Sequence, residues 1–443
     1  MGKKYHIETF GCQMNKCDSE LIALSMEKAG YAPSGSSADA DIAIFNTCSV
    51  RQHAEDRAVS RIMAVRTPVR QRGGIIAVTG CMAQRIGGEL LDRGTADIVI
   101  GPYQSPDAGN IIRGFMEGRE SRSLLSQSPD DYRDRIQPGY TEAGDRDGWH
   151  RWVTITHGCE NFCTYCIVPH VRGKLISSPS ENILSHVREI AEQGIMEITL
   201  LGQNVNQYGQ DSGDIPFCRL LEKVAGVPGF VRVNFLTSHP MDFSPDLVRV
   251  IRDNPVISRA IHLPLQSGSD AVLRAMNRHY DMKHYYSIID LIKKELDRHS
   301  LSTDLIVGFP GEEEKDFRAT LEAVEKIGFD DAFMYAYSPR ENTPAWGLTE
   351  DLSHEEKIAR LQELIELQRR ISRRKLEERV NSVDVTIVER VSKKSSSSVM
   401  GKTSLNHPVV LPGSSDDIGK RIHIKIHGVK GSTLQGTRIA VSA

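Results

Sequence analysis

No apolar run in the 443 residues approaches the ~18 that a membrane-spanning helix needs, which excludes a helical membrane protein of the usual kind. The opening Met-Gly-Lys-Lys-Tyr-His has no long apolar stretch and leads straight into a strand-like segment, so a cytoplasmic protein is expected. Charge of one sign is also lacking. With 55 Lys and Arg against 58 Asp and Glu, the formal net charge is only -3, and any nucleic-acid contact has to come from local patches. Cysteine is sparse, eight in all, and without a signal peptide these read as metal ligands or buried thiols rather than a disulfide framework. One absence is local. Cys159, Cys163 and Cys166 stand in a C-x3-C-x2-C spacing with no fourth cysteine nearby. Structural zinc takes four closed ligands and an electron-transfer iron–sulfur cluster is usually held by four thiolates, so three thiolates leave one metal position unclaimed. An incomplete zinc site or an ordinary cysteine-rich loop stays open as the plainer reading.

What is present is alternation. From residue 3 to 117, β-rich apolar runs (KKYHIETFG, DIAIFN, IIAVTG, DIVIG) alternate with helical patterns near 16–29, 53–66, 82–91 and 108–117, which predicts a doubly wound parallel sheet. Cys12, Cys48 and Cys81 each follow a strand, at the carboxyl edge where open α/β sheets build ligand sites. Any one of them alone reads as a buried filler, but three at equivalent strand ends point to a metal or cluster role. Cys17, about one turn into the first helix, and Cys218 in a later helix read as packing residues, with Cys17 near enough to Cys12 to be weighed as a further ligand. The polar, Pro/Gly-containing stretch 119–148 reads as a linker. Beyond it six strands (WVTITHG, MEITLLG, FVRVNFLTS, AIHLPLQSG, LSTDLIVGFPG, DAFMYAYSPR) alternate with five helical patterns. Six is too few for a closed eight-fold barrel, so a partial (β/α)6 barrel is expected, with its site at the strands' carboxyl ends. There lie Gly202-Gln203-Asn204, Thr237-Ser238-His239, Gln266-Ser267-Gly268 and Gly308-Phe309-Pro310-Gly311-Glu312.

Residues 353–380 form a long amphipathic helical pattern bearing Arg369, Arg370, Arg373, Arg374 and Lys375. From 381 onward five strand-like runs suggest a small OB-like barrel, with Ser395 to Ser398 as a flexible hairpin tip. This last stretch has nine Lys or Arg against four acids, so a basic face is expected, Lys402 and Lys425 included.

TFGCQMNKCDSE (9–20), NTCSVRQHAEDRA (46–58), TGCMAQ (79–84), HGCENFCTYCIVPHVRGK (157–174), LLGQNVNQYG (200–209), HLPLQSGSDAVLRAMNR (262–278), TDLIVGFPGE (303–312) and YSPRENTPA (337–345) follow in order. Together they resemble the motifs of the radical S-adenosylmethionine (SAM) methylthiotransferases along nearly the whole chain. The resemblance implies three domains: a methylthiotransferase domain over 1–118, a radical-SAM core over 149–378 after the 119–148 linker, and a TRAM RNA-binding domain over 379–443. It implies two [4Fe-4S] clusters, one on Cys159, Cys163 and Cys166 that cleaves SAM, and one on Cys12, Cys48 and Cys81 that presents sulfur. It also implies SAM contacts from Tyr165, Gln203, Asn204, Ser238, Gln266 and Ser267, with Tyr165 as a core aromatic the alternative, and RNA contacts from Arg373, Arg374, Lys402 and Lys425. GQNVN resembles the branch acting on N6-isopentenyladenosine at position 37 of tRNA, in the anticodon loop. The alternatives are threonylcarbamoyladenosine in tRNA, a ribosomal-protein aspartate, or a non-catalytic iron–sulfur RNA-binding protein. An electron donor and a sulfur or iron–sulfur supply protein are expected partners. The chain departs from the family pattern at Cys17, at Val171-Arg172-Gly173-Lys174 and at Glu341-Asn342.

Overall fold

The computed structural model describes residues 2–11, 13–49, 52–119, 121–125 and 148–440. Its first unit is a parallel sheet of six strands, β1 (Lys4–Thr9), β2 (Ala32–Pro33), β3 (Ile42–Thr47), β4 (Ile75–Gly80), β5 (Ile98–Ile100) and β6 (Ser123–Leu124), in the order β2-β1-β3-β4-β5-β6. Period-two alternation splits β3 between two cores. Ile42 and Ile44 pack with Ile22, Met26 and Ile112 of the helices Gln13–Lys28 and Ala108–Met116, while Ala43 and Phe45 face Ile62, Val69 and Met82 of Gln52–Gln71 and Cys81–Asp92. Chain order reverses between β1 and β3, the switch point where doubly wound sheets bind ligands. Edge strand β6 corrects part of the linker expectation: Ser123 and Leu124 pair with Val99 and Ile100. The remainder of that stretch, 126–147, and Cys12 lie outside the described residues.

The second unit holds six parallel strands in two halves. β7 (His150–Thr154), β10 (Glu197–Leu201) and β11 (Arg232–Phe235) form one, and β12 (Ala260–His262), β13 (Ser300–Val307) and β14 (Asp331–Ala336) the other. A single bridge at Val233 and Ile257 carries the curvature across the gap. This is the expected partial barrel, and the helices Ser180–Glu192, Phe217–Ala225, Pro245–Asp253, Met282–Glu295 and Glu314–Ile327 coat its outside around one continuous apolar core. Two short strands, β8 (Thr156–His157) and β9 (Ile176–Ser177), pair antiparallel and bracket the cysteine motif.

The helix His354–Glu377, capped by Ser353 and Glu356 in a reciprocal capping box, leads to a closed five-stranded barrel. Its strands are β15 (Val383–Ser392), β16 (Ser395–Lys402), β17 (Pro408–Pro412), β18 (Arg421–Lys430) and β19 (Thr433–Arg438). Ser395 to Ser398 are strand, not hairpin tip: Lys393 and Lys394 alone make the turn, and Ser398 pairs with Pro412. This small barrel sits at the amino ends of the larger barrel's strands. There Ser300 Oγ donates to Leu405 O (2.8 Å), Arg298 meets Asp384 (3.2 Å) and His407 Nε2 meets Asp330 Oδ1 (3.1 Å). The carboxyl ends face the other way, toward the N-terminal sheet.

Candidate active site

Three glycine–cysteine dipeptides, Gly11-Cys12, Gly80-Cys81 and Gly158-Cys159, recur in the chain, and two of the glycines show why. Gly80 has φ +90, and a Cβ on it would stand 2.4 Å from Thr47 O; Gly11 has φ +143, and its Cβ would stand 2.6 Å from Cys48 Cβ. Only glycine lets the ends of β1, β3 and β4 approach this closely. Cys48 and Cys81 are each 4% exposed. Cys81 opens the helix Cys81–Asp92, where the helix dipole favours a thiolate.

The first helix, Gln13–Lys28, lays Met14, Cys17 and Leu21 against Leu201, Trp152 and Leu236 of the central barrel. Cys17 thus belongs to the domain interface. Its thiol lies 3.6 Å from Thr154 Oγ1, and burial, reinforced by Asp18, raises its pKa far above the usual thiol range, as expected of a packing residue. Cys218 packs half-buried against the main core.

Cys159, Cys163 and Cys166 lie on the loop between β8 and the short helix Val168–Arg172. The thiols sense one another electrostatically, and burial pushes Cys159 up to about 11 and Cys166 higher still. Thiolates in such a place need a cation. Among the described residues no three His, Cys, Asp or Glu side chains are arranged to hold a single metal ion. One cation is built in. Arg278, 7% exposed, donates from Nη1 to Cys163 Sγ (3.3 Å), from Nη2 to Pro264 O (3.3 Å) and from Nε to the Tyr280 hydroxyl (3.2 Å).

A second buried arginine joins the two sites. Arg172, 4% exposed, is the last residue of the helix that starts just after Cys166, yet its side chain enters the N-terminal unit. Nε donates to Cys81 Sγ (3.3 Å) and Nη2 to Asp18 Oδ2 (2.7 Å), while its carbonyl accepts from the Tyr103 hydroxyl. Ile167 and Val171 complete the packing on Cys81. Desolvating such an ion pair costs several kcal/mol per charge, so the geometry has to offset it with every available donor.

Beside the thiols, the carboxyl ends of the barrel strands collect polar atoms with no hydrogen-bond partner: Gln203 Oε1, Asn206 Nδ2, Gln207 Oε1, Ser238 Oγ, His239 Nε2 and Gln266 Oε1. Buried polar atoms are normally paired, and six orphans on one edge mark a place for a polar ligand. Burial pushes the His239 imidazole down to about 2, with Arg278 adding to the shift, so the ring is neutral. Gln266 sits at φ +70, held by the amide of Ile306 and the carbonyl of Asp304. Three thiols with an unclaimed position, next to orphaned amides and hydroxyls, fit an iron–sulfur cluster with a zwitterionic nucleoside ligand alongside.

Two expected contact residues make hydrogen bonds within the scaffold. Asn204 is 1% exposed; its Oδ1 caps the turn at Asn206 and its Nδ2 donates to Asp242 (2.6 Å). Ser267 is fully buried against Thr320 and the Ser269 amide. Both side chains are committed to the scaffold. Tyr165 packs edge-on to Phe309 (6.5 Å) in a cluster with Met276 and Tyr337, a core contact. Arg373, Arg374, Lys402 and Lys425 are all exposed, with Arg373 paired to Glu377 (2.6 Å). Arg172, Arg278 and Asp18 lie inside the quoted motifs and His239 in the Thr237-Ser238-His239 run, yet none of the four was selected from the sequence as a site residue.

The fold and the two facing cysteine sites define a radical-SAM protein with an added N-terminal cysteine domain and a C-terminal β-barrel. Family models agree: the Uncharacterized protein family UPF0004 matches residues 4–101, the Radical SAM superfamily 153–324 and the TRAM domain 378–439. The radical S-adenosylmethionine methyltransferase TsrM from Kitasatospora setae shares the fold, with a TM-score of 0.56 at 11% identity over 78% of this chain and 75% of that one. Proteins named tRNA-2-methylthio-N(6)-dimethylallyladenosine synthase are far nearer in sequence. The one from Thermoanaerobacter pseudethanolicus is 39% identical, covering 99% of this chain and 93% of its own, and the one from Geotalea uraniireducens 40%, covering 98% of each. The chain belongs to the tRNA-2-methylthio-N(6)-dimethylallyladenosine synthase family.

Proposed function

We propose that this protein is a tRNA-modifying radical-SAM methylthiotransferase, which inserts a methylthio group at carbon 2 of N6-isopentenyladenosine at position 37. The supporting observation is the contact of Cys81 with the segment that follows Cys166, which turns two cysteine sites toward one edge; the substrate follows the names of the full-length relatives. Cys159, Cys163 and Cys166 would hold one [4Fe-4S] cluster and Cys12, Cys48 and Cys81 the other. Bound there, the clusters and SAM supply the reducing electron, the hydrogen-abstracting radical, the sulfur and the methyl group.

The chain's own residues bind, orient and exclude water. Gln203, Ser238 and Gln266 offer unspent groups to the SAM zwitterion and ribose. Arg278 compensates thiolate charge at Cys163 without titrating. Exposed Arg373, Arg374, Lys402 and Lys425 would hold tRNA phosphates, and an unpaired loop base reaches the pocket at low unstacking cost. We place the domains at 1–118, 149–378 and 379–443, and expect a cytoplasmic enzyme served by an electron donor and a sulfur or iron–sulfur supply protein. None of the described helices is long and apolar enough to cross a membrane. Nucleoside mass spectrometry of tRNA from a deletion strain tests the reading: isopentenyladenosine without the methylthio group should accumulate, and persistence of the 2-methylthio nucleoside would refute it.

A further inference from the structure

We infer that Arg172 is a positioning residue for the N-terminal cysteine site, supplied by the opposite domain: its guanidinium on Cys81 fixes that thiolate's place and charge relative to the loop of Cys159, Cys163 and Cys166. The inference deepens the proposed function and rests on Cys81 being a cluster ligand.

Arg172 is held rigidly at its own end. The amide of Cys159 donates to Gly173 O (3.2 Å), so the chain closes between the first cysteine of the central motif and the residue that follows Arg172. Arg172 projects from that closure, and Tyr103 of the N-terminal unit grips its carbonyl. Its two outer contacts are divided between a thiol and an acid. Asp18 aims the fork and Cys81 receives Nε, while Ile167 and Val171 pack on Cys81 as an apolar wall that keeps the local dielectric low. An arginine that served only to join domains would need the acid alone. The central site has the same device in Arg278 on Cys163, but there the cation comes from its own domain. Hydrogen bonds and positive charge at a ligating sulfur favour the more negative, reduced state of a cluster, so Arg172 raises the N-terminal cluster's reduction potential, and it does so only when the barrel is docked. The domain contact and the electronic state of the sulfur-donating site are thereby one feature.

The test compares Arg172→Gln and Arg172→Lys in the full-length chain carrying Ala at 159, 163 and 166, where the N-terminal cluster is the one to be titrated by EPR-monitored reductive titration at measured iron content. Arg172→Gln should move the potential to a more negative value at unchanged iron occupancy, with Arg172→Lys nearer the parent. In the enzyme with all cysteines, Arg172→Gln should raise the ratio of SAM cleaved to methylthio product several-fold. A parental potential in Arg172→Gln at full iron content overturns the inference. If Arg172→Gln does not fold, Asp18→Asn keeps the cation and removes the acid that aims it; a parental potential there also overturns it. Failure of the tRNA reading is seen separately, as absence of methylthio product from the unmodified enzyme while the potential shift remains.

Discussion

The two cysteine sites are assembled by opposite means. The central one is local: three thiols within eight residues on a single loop, steadied by Arg278 from the same barrel. The N-terminal one draws Cys48 and Cys81 from strand ends 33 residues apart, depends on glycines at 11 and 80 for the close approach of the strands, and borrows its arginine from the barrel. A local site survives the loss of a neighbour, whereas a collected site inherits the stability of everything that gathers it. The largest expected effect exploits this difference. Ala at Cys159, Cys163 and Cys166 should abolish SAM cleavage, and Ala at Cys12, Cys48 and Cys81 should spare cleavage and remove methylthio product. Chromatography of 5′-deoxyadenosine beside nucleoside mass spectrometry separates the two; equal loss of cleavage from both sets would erase the distinction.

Next in size is the cost of breaking the borrowed contact. Asp18→Ala leaves the Arg172 cation buried without its acid, a change worth about 3–5 kcal/mol, whereas Glu8→Ala removes an ion pair to the half-exposed Arg61, worth less than about 1 kcal/mol. Urea unfolding of the two variants should show that ranking. Similar midpoints would mean that the domain junction relaxes around Arg172.

Much of this was legible beforehand, and the reason is locality. Helix ranges such as 82–91 and 108–117 agree with Cys81–Asp92 and Ala108–Met116 to within a residue, because apolar periodicity writes them directly. The six-residue helix Asp270–Ala275 and the two-residue strands β2 and β6 are too short to leave a periodic trace. The Arg172 contacts could not be read, since Cys81 and Asp18 are 91 and 154 residues away and an isolated arginine in a sequence looks solvated. Asn204 and Ser267 show another limit. An amide or hydroxyl after a strand serves equally as a cap or as a ligand contact, and only the fold decides.

A smaller effect probes the two ends of the barrel by pH. Burial pushes His239, at the cysteine end, down to about 2 and His150, at the small-barrel end, down to about 3. Below about 6.5 the unfolded chain binds protons at these rings and the folded chain does not, so stability rises with pH between the folded values and about 6.5 and is lost as pH falls through that window. Each ring contributes at most about 1.4 kcal/mol per pH unit. Denaturation midpoints from pH 7 to 5 should therefore fall, and His150→Gln should flatten the decline. An unaltered slope would assign it to other groups.

The smallest expected effect concerns RNA, which has to bridge ends that the fold holds apart: the TRAM barrel caps the amino ends of the strands, and the cysteines lie beyond the carboxyl ends. Along β18, Arg421, His423, Lys425 and His427 alternate with buried Ile422, Ile424 and Ile426, which sets one basic row on the surface. If that row grips phosphates, Arg421→Ala and Lys425→Ala should each reduce the salt dependence of tRNA affinity by about one in the log–log slope, without changing SAM cleavage. Affinity falling with an unchanged slope would instead mean a neutral contact, and would move the electrostatic grip to Arg373 and Arg374, where the long helix meets the β18–β19 turn at Gly431.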